Sequence, residues 1–230
     1  MPEDVGRERR EPPRSSPTWV VRAPLARWLE EEGRRAEGLR VLDVGCGVKP
    51  YAPYFSSASD YVGVDVVENP YADLIGAAEA LPVEDASFDI VLCIQVLEHV
   101  DDPRRAVEEL WRVTKPGGRV LASTHGTQVY HPSPGDYWRW THTGLERLFE
   151  SAAEWRSVTV TPGAGTGATL AMLNSTYLVL FFKRVHMAPL GRIAIRGMNA
   201  LGRALDRASP DLRSAVPGSL IANLHVTAER

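Results

Sequence analysis

Two glycines and two carboxylates carry the clearest chemistry in this 230-residue chain. The run Val41-Leu42-Asp43-Val44-Gly45-Cys46-Gly47-Val48-Lys49-Pro50-Tyr51 sends an apolar, strand-like segment straight into Gly-x-Gly. Glycines there permit a tight turn and let the backbone approach a ligand closely. A second β-branched run ends in Gly63-Val64-Asp65, which puts Asp65 18 positions past Gly47. A carboxylate at the end of a neighbouring strand can accept hydrogen bonds from both hydroxyls of a ribose. The pattern is that of a nucleoside pocket.

Such a pocket suits either a dinucleotide or S-adenosylmethionine, and two residues bear on the choice. A dinucleotide fingerprint wants a third glycine where this chain has Pro50. Asp43 stands two residues before Gly45. A carboxylate so close to the loop repels a pyrophosphate but can help hold an ammonium group. S-adenosylmethionine carries an ammonium and a sulfonium and no phosphate. The plainer role for Asp43 is to cap the loop's backbone amides.

These residues need strands and helices to hold them. Apolar residues at helical spacing over 19–32 (Val20, Val21, Leu25, Trp28, Leu29) predict a helix ending near Gly33. Short apolar runs at 39–44, 61–67, 88–94 and 119–123 predict strands, with a helix over 103–113 and a Lys115-Pro116-Gly117-Gly118 turn before the last of them. A helix over 143–151 and alternating strands at 155–161 and 220–228 complete the pattern. Strands alternating with helices predict βαβ units and a parallel sheet covered on both faces. Residues 1–17 mix Arg, Glu, Pro and Ser and predict a flexible arm; the core is expected over 18–162 and 218–230, with a helical insertion or lid over 163–217.

Asp43-Val44-Gly45-Cys46-Gly47, Gly63-Val64-Asp65, Ala80-Leu81-Pro82 with Ser87-Phe88-Asp89, Val96-Leu97-Glu98-His99-Val100 and Val113-Thr114-Lys115-Pro116-Gly117-Gly118 follow one another in fixed order. Together they resemble the class I S-adenosylmethionine-dependent methyltransferases, most of all the small-molecule group called type 11, over about residues 39–124. The resemblance implies a doubly wound, Rossmann-like, seven-stranded sheet, mostly parallel with an antiparallel last strand. It implies that Asp43, Gly45 and Gly47 hold the methionine end and that Asp65 takes the ribose. Val66 would lie beside the adenine, the segment Ala77, Ala78 and Glu79 would edge that ring, and Gln95 would lie near the ammonium and sulfonium. The family often has Asp where Ala77 stands. Either Glu79 reaches the adenine amine here or that contact is lost.

Methyl transfer is an in-line displacement that depends mainly on alignment and exclusion of water. An oxygen acceptor usually also needs a base. The expected acceptor wall follows the fifth strand: Thr124-His125-Gly126, Tyr130-His131-Pro132 and Gly135-Asp136-Tyr137-Trp138-Arg139-Trp140-Thr141-His142. His125, His131 and His142 are the candidate bases, each with a plainer role as a hydrogen-bonded structural histidine. His99 reads as structural, beside Glu98. Tyr137, Trp138 and Trp140 can stack on a flat or sugar-like acceptor and Arg139 can bind a carboxylate or phosphate, unless the tryptophans are simply core. The acceptor is expected to be a small molecule or a saccharide-containing one. A non-catalytic cofactor-binding module and an NAD-dependent oxidoreductase are the rival readings.

A formal charge of -3 gives no global field for nucleic acid, and no base-flipping signature is present. Histidines and carboxylates do not cluster at metal-ligand spacing, so no metal is expected. Cys46 and Cys93 lie in apolar segments and read as reduced, packed thiols of a cytoplasmic protein. No apolar h-region stands at the N-terminus, and the greasy stretch 168–182 is interrupted by Asn174, Ser175 and Thr176 and too short to span a bilayer. Residues 183–213 hold seven basic and two acidic side chains, a net +5. A basic amphipathic segment can make peripheral contact with an anionic membrane; the plainer alternative is a lid helix with a solvated basic face.

Overall fold

The computed structural model describes residues 5–132 and 135–230. A short helix α1 (Arg7–Arg10) and a long one, α2 (Trp19–Gly33), precede the first strand, β1 (Arg40–Val44). Then come β2 (Asp60–Asp65), β3 (Leu74–Ile75), β4 (Phe88–Ile94), α3 (Pro103–Val113), β5 (Thr114–His125), α4 (His142–Ala152) and β6 (Ser157–Pro162). Helices α5 (Thr166–Arg184) and α6 (Ala188–Ala208) separate β6 from β7 (Asn223–Glu229). The seven strands form one sheet in the order β3-β2-β1-β4-β5-β7-β6. Pairs from β3 through β5 are parallel, and β7 runs antiparallel to both β5 and β6.

Alternation along each strand decides which helix it meets. Leu42, Val44, Val91, Cys93, Val120 and Ala122 join Ala106, Val107, Leu110 and Val113 of α3 and Leu145 and Phe149 of α4 in one core. Their neighbours Val41, Ile90, Leu92 and Leu121 face the other way, onto Leu25 and Leu29 of α2. A sheet buried on both faces explains why β1 and β4 read as continuous apolar runs. Cys46 and Cys93 are free and buried.

Local signals set the helix starts. The Asp102 side chain accepts from Arg105 N at 3.0 Å, with Pro103 in the first turn of α3. Thr141 caps α4 through Gly144 N at 3.0 Å.

Several boundaries differ from the sequence expectation for physical reasons. The Lys115–Gly118 turn lies inside β5: Phe88 pairs with Thr114 and Ile90 with Arg119, so the intervening residues bulge from the ladder. Strand β6 begins at Ser157 because Trp155 turns inward, its ring 6.0 Å from Phe149 and its Nε1 donating to Phe149 O. Strand β3 has two residues, too few for alternation to show in a sequence. Residues 5–17, expected as a flexible arm, carry α1 and lie along the core: Arg10 Nη1 donates to Pro50 O at 2.6 Å, and Asn199 Nδ2 of α6 holds the carbonyls of Arg14 and Ser16, each at 2.9 Å. Residues 1–4 of that arm lie outside the described residues.

Helices α5 and α6 form a hairpin. Ala164, Ala168 and Met172 pack on Val20 and Val21 of α2. Close approach requires glycine where the two helices cross, since a Cβ on Gly202 would meet the Gly167 carbonyl oxygen at 2.5 Å. Asp206 reaches back to the start of α5, accepting from Gly167 N at 2.7 Å and Ala168 N at 3.1 Å. It thereby satisfies amides that Gly165, at the cap position, has no side chain to hold.

Candidate functional site

The strand order reverses between β1 and β4, and ligands in open α/β sheets bind outside the carboxyl ends at such a point. A cleft of about 460 Å³ opens there, lined by Val44, Gly45, Val66, Val96, His99, Val100 and the segment from Gly76 to Glu79, among others. The Gly45 and Gly47 backbones adopt positive φ (67° and 50°), and Gly45 N and Cys46 N donate to Val64 O, pinning the loop to β2. A Cβ on Gly45 would stand 2.4 Å from Val96 Cγ2, so any larger residue closes the cleft floor.

The two carboxylates are held differently. Asp65 accepts from Gly47 N through Oδ2 at 2.7 Å and from Val67 N through Oδ1 at 3.0 Å. A carboxylate has about four acceptor sites, so two protein bonds leave capacity for a pair of hydroxyls. Asp43 is buried and accepts from the Tyr61 hydroxyl at 2.7 Å. Burial pushes its carboxyl up to about 7, against the Tyr61 hydrogen bond and the nearby Lys49 ammonium. Lys49 itself pairs with Asp73, which also accepts from Gly63 N. Arg9 of α1 comes within 3.8 Å of where a Gly47 Cβ would sit, so the arm reaches the glycine loop.

Ala77, Ala78 and Glu79 line the cleft, as does Val66. Glu79 Oε1 is already used, accepting from Asp101 N at 2.9 Å, so an adenine amine would have to turn to Oε2 or to backbone. Gln95 has a positive φ of 59°, and its Nε2 donates to Ser123 Oγ and to Asn223 Oδ1. Both side-chain N–H groups are therefore spent on β5 and β7, and Gln95 is not among the lining residues. A strained backbone at the end of β4 remains a mark of a site rather than of a packed strand.

The histidines separate clearly. His142 Nε2 meets Val160 O at 2.8 Å where α4 begins, outside the cleft lining. His125 is buried, with Nε2 3.3 Å from Glu98 Oε1. Burial lowers His125 to about 4 and raises Glu98 to about 7, so near neutrality the imidazole is uncharged and the carboxyl only partly ionised. Thr124 donates to Glu98 Oε2 at 2.8 Å. His131 is exposed and packs edge-on against His99, ring centroids 5.9 Å apart.

His99, read from sequence as structural, lines the cleft. Its Nδ1 is bonded to the Gly135 carbonyl oxygen, an acceptor only. In the neutral ring that nitrogen must carry the hydrogen, leaving Nε2 with a lone pair. The sequence signal that could have found it was its place just past β4, the same signal that singled out Gln95.

The expected acceptor segment packs on the cleft wall. Tyr137 N and Trp138 N donate to Glu98 O, and Trp138 Nε1 donates to Val100 O at 2.8 Å. Trp138 stacks on Trp140 at 5.7 Å; Tyr137 and Trp138 are exposed, whereas Trp140 packs against the main core. Arg139 is engaged twice over by Asp136, whose carboxyl it holds well below the usual range, and donates to Val129 O as well. An acceptor anion would have to compete with that pair. Among the described residues no group of three metal-ligating side chains converges.

The strand order and the cleft at its switch point match the fold expected of class I S-adenosylmethionine-dependent methyltransferases. Residues 42–122 match the family model described as a methyltransferase domain. A curated relative from Bordetella avium (strain 197N), named ubiquinone biosynthesis O-methyltransferase, is 36% identical over 113 residues, or 42% of this chain and 47% of that protein. An uncharacterized methyltransferase of Mycobacteroides abscessus is 37% identical over 112 residues, 42% and 43% of the two chains. The chain thus spans about half the length of the curated relatives it matches. Among solved structures, phosphoethanolamine N-methyltransferase 2 of Haemonchus contortus, in complex with S-adenosyl-L-methionine, aligns at a TM-score of 0.55 with 16% identity over 92% of this chain and 55% of that one. The [4+2]-cyclase SpnF aligns at 0.53 with 19% identity over 89% and 80%. These two likenesses speak to the fold alone.

Proposed function

We propose that this protein transfers a methyl group from S-adenosylmethionine to a small-molecule or glycoconjugate acceptor, at oxygen. The observation that carries the proposal is the cleft at the ends of β1, β2 and β4, lined by Gly45 of the glycine turn and by Val66, with Asp65 bonded to Gly47 N beside it. The donor fits the residues present: the Asp43 and Asp65 carboxylates stand beside the loop, its one cation, Lys49, is paired with Asp73, and Val66, Ala77 and Ala78 offer an apolar slot for a flat ring. Bound there, S-adenosylmethionine supplies an electrophilic methyl on a sulfonium. Asp65 takes the ribose hydroxyls, Asp43 supports the ammonium end, and Gln95, tied to Ser123 and Asn223, holds the end of β4 in place.

Oxygen as the acceptor atom is supported by the printed name of the Bordetella avium relative. Exposed Tyr137 and Trp138 beside the wall offer faces for a ring or sugar. His99 lines the cleft, its Nδ1 bonded to Gly135 O, and is the imidazole placed to take the acceptor's proton through Nε2; His131 packs against it, and the buried His125–Glu98 pair is not part of the lining. Free, buried Cys46 and Cys93 suit a reducing, cytoplasmic setting.

The test is transfer of isotopically labelled methyl to a panel of phenolic and saccharide acceptors. On an acceptor that is turned over, His99→Gln is expected to lower kcat on the order of 100-fold while S-adenosylhomocysteine affinity stays put. An unchanged kcat removes His99 from the mechanism. Donor binding without turnover of any acceptor favours a non-catalytic module instead, a reading kept open by Ala77 standing where the family often has Asp.

A further inference from the structure

Between Glu154 and Asp206 the chain has no acidic residue, yet it carries Arg156, Lys183, Arg184, Arg192, Arg196 and Arg203. The α5–α6 hairpin presents most of that charge. The first half of α5 is buried through Gly167, Ala168, Thr169, Ala171, Met172 and Ser175, after which the helix runs clear of the core. Beyond that point Tyr177, Leu180, Phe181, Met187, Leu190 and Ile193 are 44–66% exposed. Six large apolar side chains bared on one hairpin tip mark an interaction surface rather than scattered surface residues.

The tip is preformed. Asp206 ties α6 to the start of α5, Gly202 lets the helices touch, and Gly191 lies under Phe182. It is also separate from the cleft, whose lining runs from Val44 to Asp102, so the hairpin does not wall the donor site.

We infer that the distal hairpin, residues 177–196, docks on an anionic lipid bilayer. Its apolar side chains sit at the acyl boundary while Lys183, Arg184, Arg192 and Arg196 meet lipid phosphates. Charge selects this occupant over a second copy of the chain. Self-association would set these cations against their own copies with no carboxylate in the patch to offset them. Among the described residues no helix is long and apolar enough to cross a membrane, so the contact proposed is interfacial. The docking is independent of the acceptor's identity and of turnover.

Flotation of the whole chain with vesicles tests it. Vesicles of about one-third phosphatidylglycerol in phosphatidylcholine are expected to retain the protein at low salt, with retention at least ~10-fold above that on pure phosphatidylcholine and reduced by added salt. Leu180→Ser with Phe181→Ser is expected to abolish retention, and Arg192→Gln with Arg196→Gln to erase the preference for the anionic lipid. Both double variants should keep the parent's melting profile and S-adenosylhomocysteine affinity, which separates lost docking from lost folding. Equal retention on neutral vesicles, or retention that neither folded variant changes, overturns the inference. So does a dimer in solution that the Leu180/Phe181 variant splits while the parent ignores vesicles.

Discussion

Asp43 carries a cost to the fold that the proposed contact with the donor's ammonium would explain. Its folded-state value of about 7 lies above the ordinary 3.8, chiefly through burial, so the ionised form is disfavoured in the native state. The penalty is absent below pH ~4, grows as pH rises towards 7 and stays constant above that. Glu98, raised to about 7, adds a penalty of the same sign. An asparagine keeps an acceptor for the Tyr61 hydroxyl and removes the charge. Asp43→Asn is therefore expected to raise Tm by ~3 °C or more at pH 8 and to leave it unchanged at pH 4. A lower Tm at pH 8 would mean that the carboxylate is stabilised by its neighbours after all. At this scale the glycine turn and Asp65 were legible in the sequence, because positive φ angles of 67° and 50° favour glycine at positions 45 and 47 and the strand spacing points to the carboxylate. The engagement of Gln95 by Ser123 and Asn223, 28 and 128 residues away in sequence, could not be read from spacing, nor could the carbonyl of Gly135 that orients His99.

At the scale of elements, helix starts were legible wherever the capping side chain is local, as with Asp102 before α3 and Thr141 before α4. The start of α5 was not, because its cap comes from Asp206, near the end of α6. That reach makes a prediction. Asp206→Ala leaves the amides of Gly167 and Ala168 without their acceptor in a buried setting, and is expected to cost about 1–2 kcal/mol, lowering Tm by several degrees. Hydrogen exchange should rise in the first turn of α5 while the strands stay protected. Unchanged exchange there would show that Asp206 is dispensable to the hairpin. The insertion's helical character was visible in its periodicity, but its shape as a paired hairpin docked on α2 depends on Gly167 meeting Gly202, a contact between distant small residues that carries no periodic signal.

For the whole molecule, alternating strands and helices dictated a doubly wound sheet, and the observed order with β7 inserted antiparallel between β5 and β6 agrees with what the resemblance implied. The fold sets out three regions: the cleft at the switch point, the 135–140 segment on its wall and the hairpin packed on α2. Acceptor choice was not legible because an aromatic residue of the 135–140 segment can equally serve as core, as Trp140 does while Tyr137 and Trp138 stay exposed.

The central claim is that the cleft takes S-adenosylmethionine through the glycine turn and Asp65. Calorimetric titration of the purified chain with S-adenosylhomocysteine, beside Asp65→Ala, tests it most directly. The account predicts one site in the micromolar range, weakened at least ~10-fold in a variant that still folds, since two ribose hydrogen bonds to a charged group are lost. No binding by the parent, or equal binding by the variant, would contradict it.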